Sequence, residues 1–169
     1  MEYHFQLVQK IKESLGDQAI LSIEKAVGNP NECVLSIRAE DLTKIADYLK
    51  NQRNFKFLMD VCGVHYPERA HISGPLAGKT LEAVYHFYNR EQNQRVRLKV
   101  PHKEGEKIAS LTSLYKAANW FEREAYDLLG IKFEGHPNLT RILCHHKFEG
   151  HALRKDYPAN KNQILDTPE

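Results

Sequence analysis

No run of eighteen apolar residues occurs in the 169-residue chain, so nothing in it reads as a bilayer span. The opening stretch MEYHFQLVQKIKESLG mixes charge with apolar side chains throughout. It lacks the uninterrupted hydrophobic region of a secretory signal, and none is expected. An excess of one charge is missing too. Lys and Arg number 24 against 22 Asp and Glu, a formal net charge of +2 at pH 7. The basic residues do not gather into a block, so no nucleic-acid partner is expected. Cysteine is scarce and odd in number: Cys33, Cys62 and Cys144 lie far apart. That excludes a disulfide framework and fits a reducing compartment. It also leaves no cysteine set for an iron–sulfur cluster. The glycine-rich fingerprint of a dinucleotide site is absent.

What is present is the balance of a soluble globular protein, 41% hydrophobic and 27% charged. Phe5, Leu7, Val8, Ile11 and Leu15 recur at helical spacing up to Gly16. Residues 19–27 and 33–38 read as strands of a hairpin around the turn GNPNE. Asp41 is placed to cap a second helix with Leu42, Ile45, Ala46 and Leu49 inward. Residues 55–66 read as a central strand and 67–79 as a loop. Two alternating segments follow, with Leu81, Ala83, Tyr85 and Phe87, then Val96, Leu98 and Val100, on the inner side. The turn EQNQ joins them. A third helix is expected over roughly 112–129, capped by Thr112 or Ser113 and ended by Gly130. The order αββαβββα gives an α+β fold, with helices on one face of a mixed five-stranded sheet. Residues 1–130 form that domain. Residues 131–169 show no long apolar period and read as an extended carboxy-terminal docking tail.

Three motifs invite chemistry. GPLAGKT (74–80) resembles a phosphate loop, but it has one residue too few between its glycines and leads into a strand pattern. His136, Cys144, His145, His146 and His151 offer zinc-type ligands, yet their spacings do not fit paired-ligand sites. On the third helix, Glu122, Arg123, Glu124 and Asp127 form a charged face, with Arg123 and Asp127 as i,i+4 partners. The pentapeptide KFEGH occurs twice, at 132–136 and 147–151. Each copy supplies a Phe anchor, a turning Gly and a His, followed shortly by Leu and Arg. The first foothold is Phe133, His136, Pro137, Leu139 and Arg141. The second is Phe148, His151, Leu153, Arg154, Lys155, Asp156 and Tyr157. Two similar footholds suit a long segment laid along a partner.

From Trp120 to Pro158, the stretches NWFEREAYDLLGIKFEGHPNLTRIL and FEGHALRKDYP closely resemble the signature of the 30-kDa (C) subunit of respiratory complex I, NADH:quinone oxidoreductase. The sequence departs from that pattern at Asn138, usually Asp, and at Ala152, usually Pro. The resemblance implies a peripheral-arm subunit that carries no catalytic residue, metal or cofactor. NADH, FMN, the iron–sulfur clusters and quinone would belong to other subunits. It implies docking on the large quinone-pocket (49-kDa, D) subunit and on the terminal iron–sulfur (B) subunit. The charged helix face and both footholds would be the partner-binding residues. The location implied is the cytoplasmic side of the membrane, peripheral, or the matrix side in a mitochondrion. The chain reads as free-standing rather than fused to the large subunit. Two alternatives stay open: the equivalent subunit of a related membrane-bound hydrogenase or dehydrogenase, and an independent zinc protein.

Overall fold

The computed structural model describes residues 2–26, 28–161 and 163–164. Val27, assigned above to the first strand, and Pro168 of the tail lie outside them. Three helices and a mixed five-stranded sheet make the α+β fold expected from the alternation of patterns. Helix α1 is Glu2–Leu15, β1 is Ile20–Lys25, β2 is Glu32–Ile37 and α2 is Leu42–Gln52. Then come β3 (Phe57–His65), β4 (Leu81–Asn89) and β5 (Gln94–His102). A short strand β6 (Lys107–Ala109), helix α3 (Ala118–Leu129) and strand β7 (Lys132–Glu134) complete the regular elements.

The sheet order is β1-β2-β5-β4-β3. All pairs are antiparallel except β2 with β5, where Cys33 stands beside Val96 and Leu35 beside Leu98. One face carries the core. Leu81, Ala83, Tyr85 and Phe87 meet Val96, Leu98 and Val100 across the β4–β5 ladder, and all are buried. The apolar stripes of α1 (Leu7, Val8, Ile11) and α2 (Leu42, Ile45, Ala46, Leu49) close over them, joined by Ala118, Ala125 and Leu129 of α3. Burial of this kind is the main favourable term in folding, about 25 cal/mol per Å² of apolar surface.

Several expectations need correction. Strand β3 lies at the sheet edge, not its centre. Its Val, Leu and Phe content reflects cover by α3 rather than two strand neighbours. Gly63 shows how close that cover is. A Cβ built there would stand 2.5 Å from Leu129 Cδ1 and 2.8 Å from Ile131 Cδ1. Asp41 makes no capping bond to α2; its carboxylate is taken by Arg38 at 2.8 Å. Helix α3 begins at Ala118, and neither Thr112 nor Ser113 caps it. Residues 111–118 form successive turns, among them Leu114 N–H to Leu111 O and Ala118 N–H to Tyr115 O. Gly130 ends α3 as expected, at φ +80°, with its N–H on Tyr126 O.

The packing also does not stop at Gly130. Ile131 and Phe133 are buried members of the core, and β7 pairs in parallel with β6. The folded unit therefore continues at least through Glu134. Phe133 is a core residue, so it is not an anchor offered to a partner.

Candidate functional site

The charged face of α3 and the segment after β7 come together, with most of their bonds made to each other. Asp127 is fully buried in the last turn of α3. Its Oδ2 accepts the N–H groups of Ile142, Leu143 and Cys144 at 3.0, 2.8 and 2.8 Å, and its Oδ1 takes Arg141 Nη1 at 2.7 Å. Burial alone would raise its pKa. The amide of Cys144, then Arg141 and the other two amides, outweigh burial and hold the carboxyl down at about 2. Arg123 donates to Thr140 O at 3.0 Å and to Arg141 O at 2.9 Å. So Arg123 and Asp127 are not partners of each other, as the i,i+4 spacing suggested. Both clamp the returning chain.

Glu122 points the other way, into the core. It is fully buried, accepting the Leu111 N–H at 2.7 Å and the Ser110 hydroxyl at 2.6 Å. Burial pushes its carboxyl up to about 7 against those two bonds. This buried acid ties α3 to the turns before it and is closed to a partner. Glu124 is exposed, and among the described residues it makes no hydrogen bond or ion pair.

Farther along, the tail stays attached. His136 Nε2 lies 3.0 Å from Asn119 O, and His151 Nδ1 lies 2.9 Å from Asp127 O. The Leu153 N–H bonds Leu128 O at 3.0 Å. The Lys155 N–H reaches His65 Nδ1 at the end of β3 at 3.1 Å. Arg154 forks onto Glu104 (2.6 and 3.1 Å) and Asp156 (2.9 Å). Phe148 stacks on Tyr157 with ring centroids 5.7 Å apart. Arg141, Phe148, His151, Arg154, Asp156 and Tyr157 therefore hold the segment in place before any partner is involved. The tail is laid across the chain's own α3 and β3. Turning His136 and His151 to separate carbonyls splits the Cys/His group that had suggested zinc. In the 74–80 loop, the N–H groups of Ala77, Gly78 and Lys79 bond Gly74 O, Arg69 O and Leu76 O, so they are not aimed at a phosphate.

What this construction leaves outward is apolar. Trp120, in the first turn of α3, is 68% exposed, and Leu143 and Leu153, fixed beside its last turn, are each 62% exposed. Trp120 and Pro137 line a depression of about 510 Å³ with Lys116, Asn119 and Gly135. Leu139 is half-buried against the core, and Lys155 lies over Tyr66 with its Nζ 5.5 Å from the ring. Large exposed apolar side chains on rigid backbone are the usual anchors of an interface. Sequence reasoning included Leu153 but passed over Trp120 and Leu143. The solitary tryptophan, standing off the α3 stripe, was the available signal.

Over residues 35–163 the sequence matches the family described as Respiratory-chain NADH dehydrogenase, 30 Kd subunit. The NADH-quinone oxidoreductase C/D subunit of Bdellovibrio bacteriovorus is 40% identical over 156 residues, which are 92% of this chain and 26% of that protein. The C subunit of the same enzyme in Sinorhizobium medicae is 46% identical over 129 residues, 75% of this chain and 60% of that one. The chain thus spans from about a quarter to three fifths of these two relatives. The C subunit in Mesorhizobium japonicum is 36% identical over 153 residues, 89% of this chain and 72% of its own length. Among solved structures, a trypsin-resistant fragment of Nqo5 superposes with a TM-score of 0.62 at 25% identity, covering 79% of this chain and 99% of the fragment. A chain of the archaeal membrane-bound sulfane sulfur reductase shares the fold, with a TM-score of 0.67 at 22% identity over 99% of this chain and 95% of that one. The match takes in β2 to β5, α3 and nearly all of the strapped tail, and on it the chain belongs to the family of the 30 Kd subunit of respiratory-chain NADH dehydrogenase.

Proposed function

We propose that this chain is a non-catalytic structural subunit in the peripheral arm of an NADH:quinone oxidoreductase. In that role it binds the large quinone-pocket (D) subunit and the terminal iron–sulfur (B) subunit. The face it offers is the outer side of α3 with its strapped tail, centred on Trp120, Leu143 and Leu153. NADH, FMN, the iron–sulfur clusters and quinone are held by other subunits. The chain lies peripherally on the cytoplasmic (or matrix) side of the membrane, and no helix among the described residues is long and apolar enough to cross it.

The observation that carries this reading is the Bdellovibrio relative. As a C/D subunit it joins a C-like part to D in one polypeptide, and the C-like part is 40% identical to this chain. A second support is the construction of the face. The bonds from Asp127, Arg123 and Arg141 fix backbone that would otherwise lose freedom on docking, so binding costs less entropy.

Co-purification with tagged D and B subunits tests the proposal. Trp120→Ala and Leu153→Ala should each weaken capture at least tenfold, the loss expected of an interface anchor (~1.4–3 kcal/mol). Melting temperature should stay within about 2 °C, as for a surface change. Lys10→Ala on α1 serves as control. Wild-type capture by both variants would refute the assigned face. Failure of the unaltered chain to bind D or B would refute the function itself.

A further inference from the structure

The face of the sheet opposite the helices carries a group that the docking surface does not use. Asp60 and Cys62 are two residues apart on β3, so strand alternation points both to this open face. A bulge between Leu58 and Asp60 sets the register so that Asp60 stands directly opposite His86 on β4. The carboxylate oxygen, thiol sulfur and imidazole nitrogen of Asp60, Cys62 and His86 all lie within 4.8 Å of one another. All three side chains are half-buried, and Asp60 and His86 line a depression of about 230 Å³. Among the described residues no hydrogen bond or ion pair occupies the side chains of Asp60 or His86.

We propose that Asp60, Cys62 and His86 bind a zinc-class divalent transition metal through three protein ligands, with water in the remaining position. Thiolate, imidazole and carboxylate together are the donor set of zinc and its neighbours, and they disfavour magnesium and calcium. In a tetrahedral site with bonds of about 2.0–2.3 Å, donors stand about 3.3–3.8 Å apart. Closing the present group onto an ion therefore needs shifts of about an ångström, within reach of side-chain rotation. Both strands are hydrogen-bonded along their length, so the backbone frame is already fixed.

The surroundings agree with this assignment. Burial, then Arg97, lowers the pKa of His86, favouring the neutral imidazole that ligates metals. Burial and Asp60 raise that of Cys62. The thiol is accordingly no activated nucleophile, and a metal must displace its proton on binding. Arg97, opposite His86 on β5, opposes a cation, but its charge is paired with Glu32 at 2.8 Å. The metal-free expectation above came from the spacings around Cys144. Asp60 and His86 are brought together only by strand register.

The test is titration of the chelator-treated full-length chain with Co²⁺, followed by absorption spectroscopy and competition with Zn²⁺. One equivalent should bind with a thiolate-to-cobalt charge-transfer band. Cys62→Ser should abolish the band. His86→Ala and Asp60→Asn should each weaken binding at least tenfold, with circular dichroism confirming the fold. Cys144→Ser should leave the titration unchanged. The proposal is overturned if no band appears at micromolar protein and metal, if Cys62→Ser retains it, or if Cys144→Ser removes it. None of these outcomes depends on binding to D or B.

Discussion

Asp127 and Arg141 meet at 2.7 Å, and the same carboxylate collects the amides of the three residues that follow Arg141. A charged acceptor with four donors is the strongest connection between α3 and the tail. Asp127→Asn keeps the shape, removes the charge and turns an amide toward groups that all donate. Hydrogen bonds to a buried charge contribute about 1.5–3 kcal/mol each before compensation, and breaking such a group costs about 3–5 kcal/mol. We expect Asp127→Asn to lose about 2–4 kcal/mol in urea unfolding. The amides of residues 142–144 should exchange much faster in hydrogen-exchange measurements. Unchanged protection there would mean that the carboxylate does not hold the strap.

Acid should release the same connection. The Asp127 carboxyl is held at about 2, below its unfolded value near 4. Its contribution is complete above about pH 4 and is lost as pH falls toward 2. Exchange of residues 142–144, followed from pH 5 downward, should rise relative to core amides in that window. A parallel change in both sets would point to global acid unfolding instead.

Glu122 has the opposite sign. Burial pushes its carboxyl up to about 7, so the folded chain binds the proton more tightly than the unfolded one. Its contribution is full below about pH 4 and declines as pH rises through 7. Glu122→Gln still accepts the Leu111 N–H and can donate to Ser110. It should flatten the fall in melting temperature between pH 5 and 8. Glu122→Ala, which orphans both partners, should cost about 2–4 kcal/mol at any pH. An unaltered pH slope in Glu122→Gln would show that the carboxyl titrates in the ordinary range.

Much of this was readable from sequence, and the failures have physical causes. The alternation of β4 and β5 and the positive-φ glycine after α3 are local properties, and local properties survive folding. The edge position of β3 and the parallel β2–β5 pair are choices among distant partners, which no local period records. Glu122 and Asp127 looked like a solvated charged face because their partners, Ser110 and residues 141–144, approach only in the fold. The two KFEGH copies looked equivalent. Phe133 is fixed in the core by β7, whereas Phe148 only stacks on Tyr157.

Where the domain ends can be read by truncation. A chain cut after Gly130 loses Ile131 and Phe133 from the core, each worth about 2–5 kcal/mol, and should melt far lower or not fold. A chain cut after Gly135 keeps both and should remain folded by circular dichroism, at a reduced melting temperature. Equal stability of the two fragments would restore the boundary at Gly130.

Gly63 limits how near α3 lies to β3. Gly63→Val places atoms where Leu129 and Ile131 already stand. Overpacking of this kind costs about 1–3 kcal/mol. The loss should appear in urea unfolding as a lower midpoint with unchanged slope. A neutral result would mean that the end of α3 can slide outward freely.

The parallel ladder between β2 and β5 bears on the order in which the chain can organise. Strands β3, β4 and β5 follow one another through antiparallel pairs, and β1 and β2 form their own hairpin. Each set can close over a short stretch of chain. Joining them requires Cys33 to find Val96 across everything between, a contact of large sequence separation and therefore slow. Until that seam closes, the backbone groups along one side of β5 have no strand partner. During synthesis or refolding, that unpaired side is where another chain could add itself in place of the hairpin.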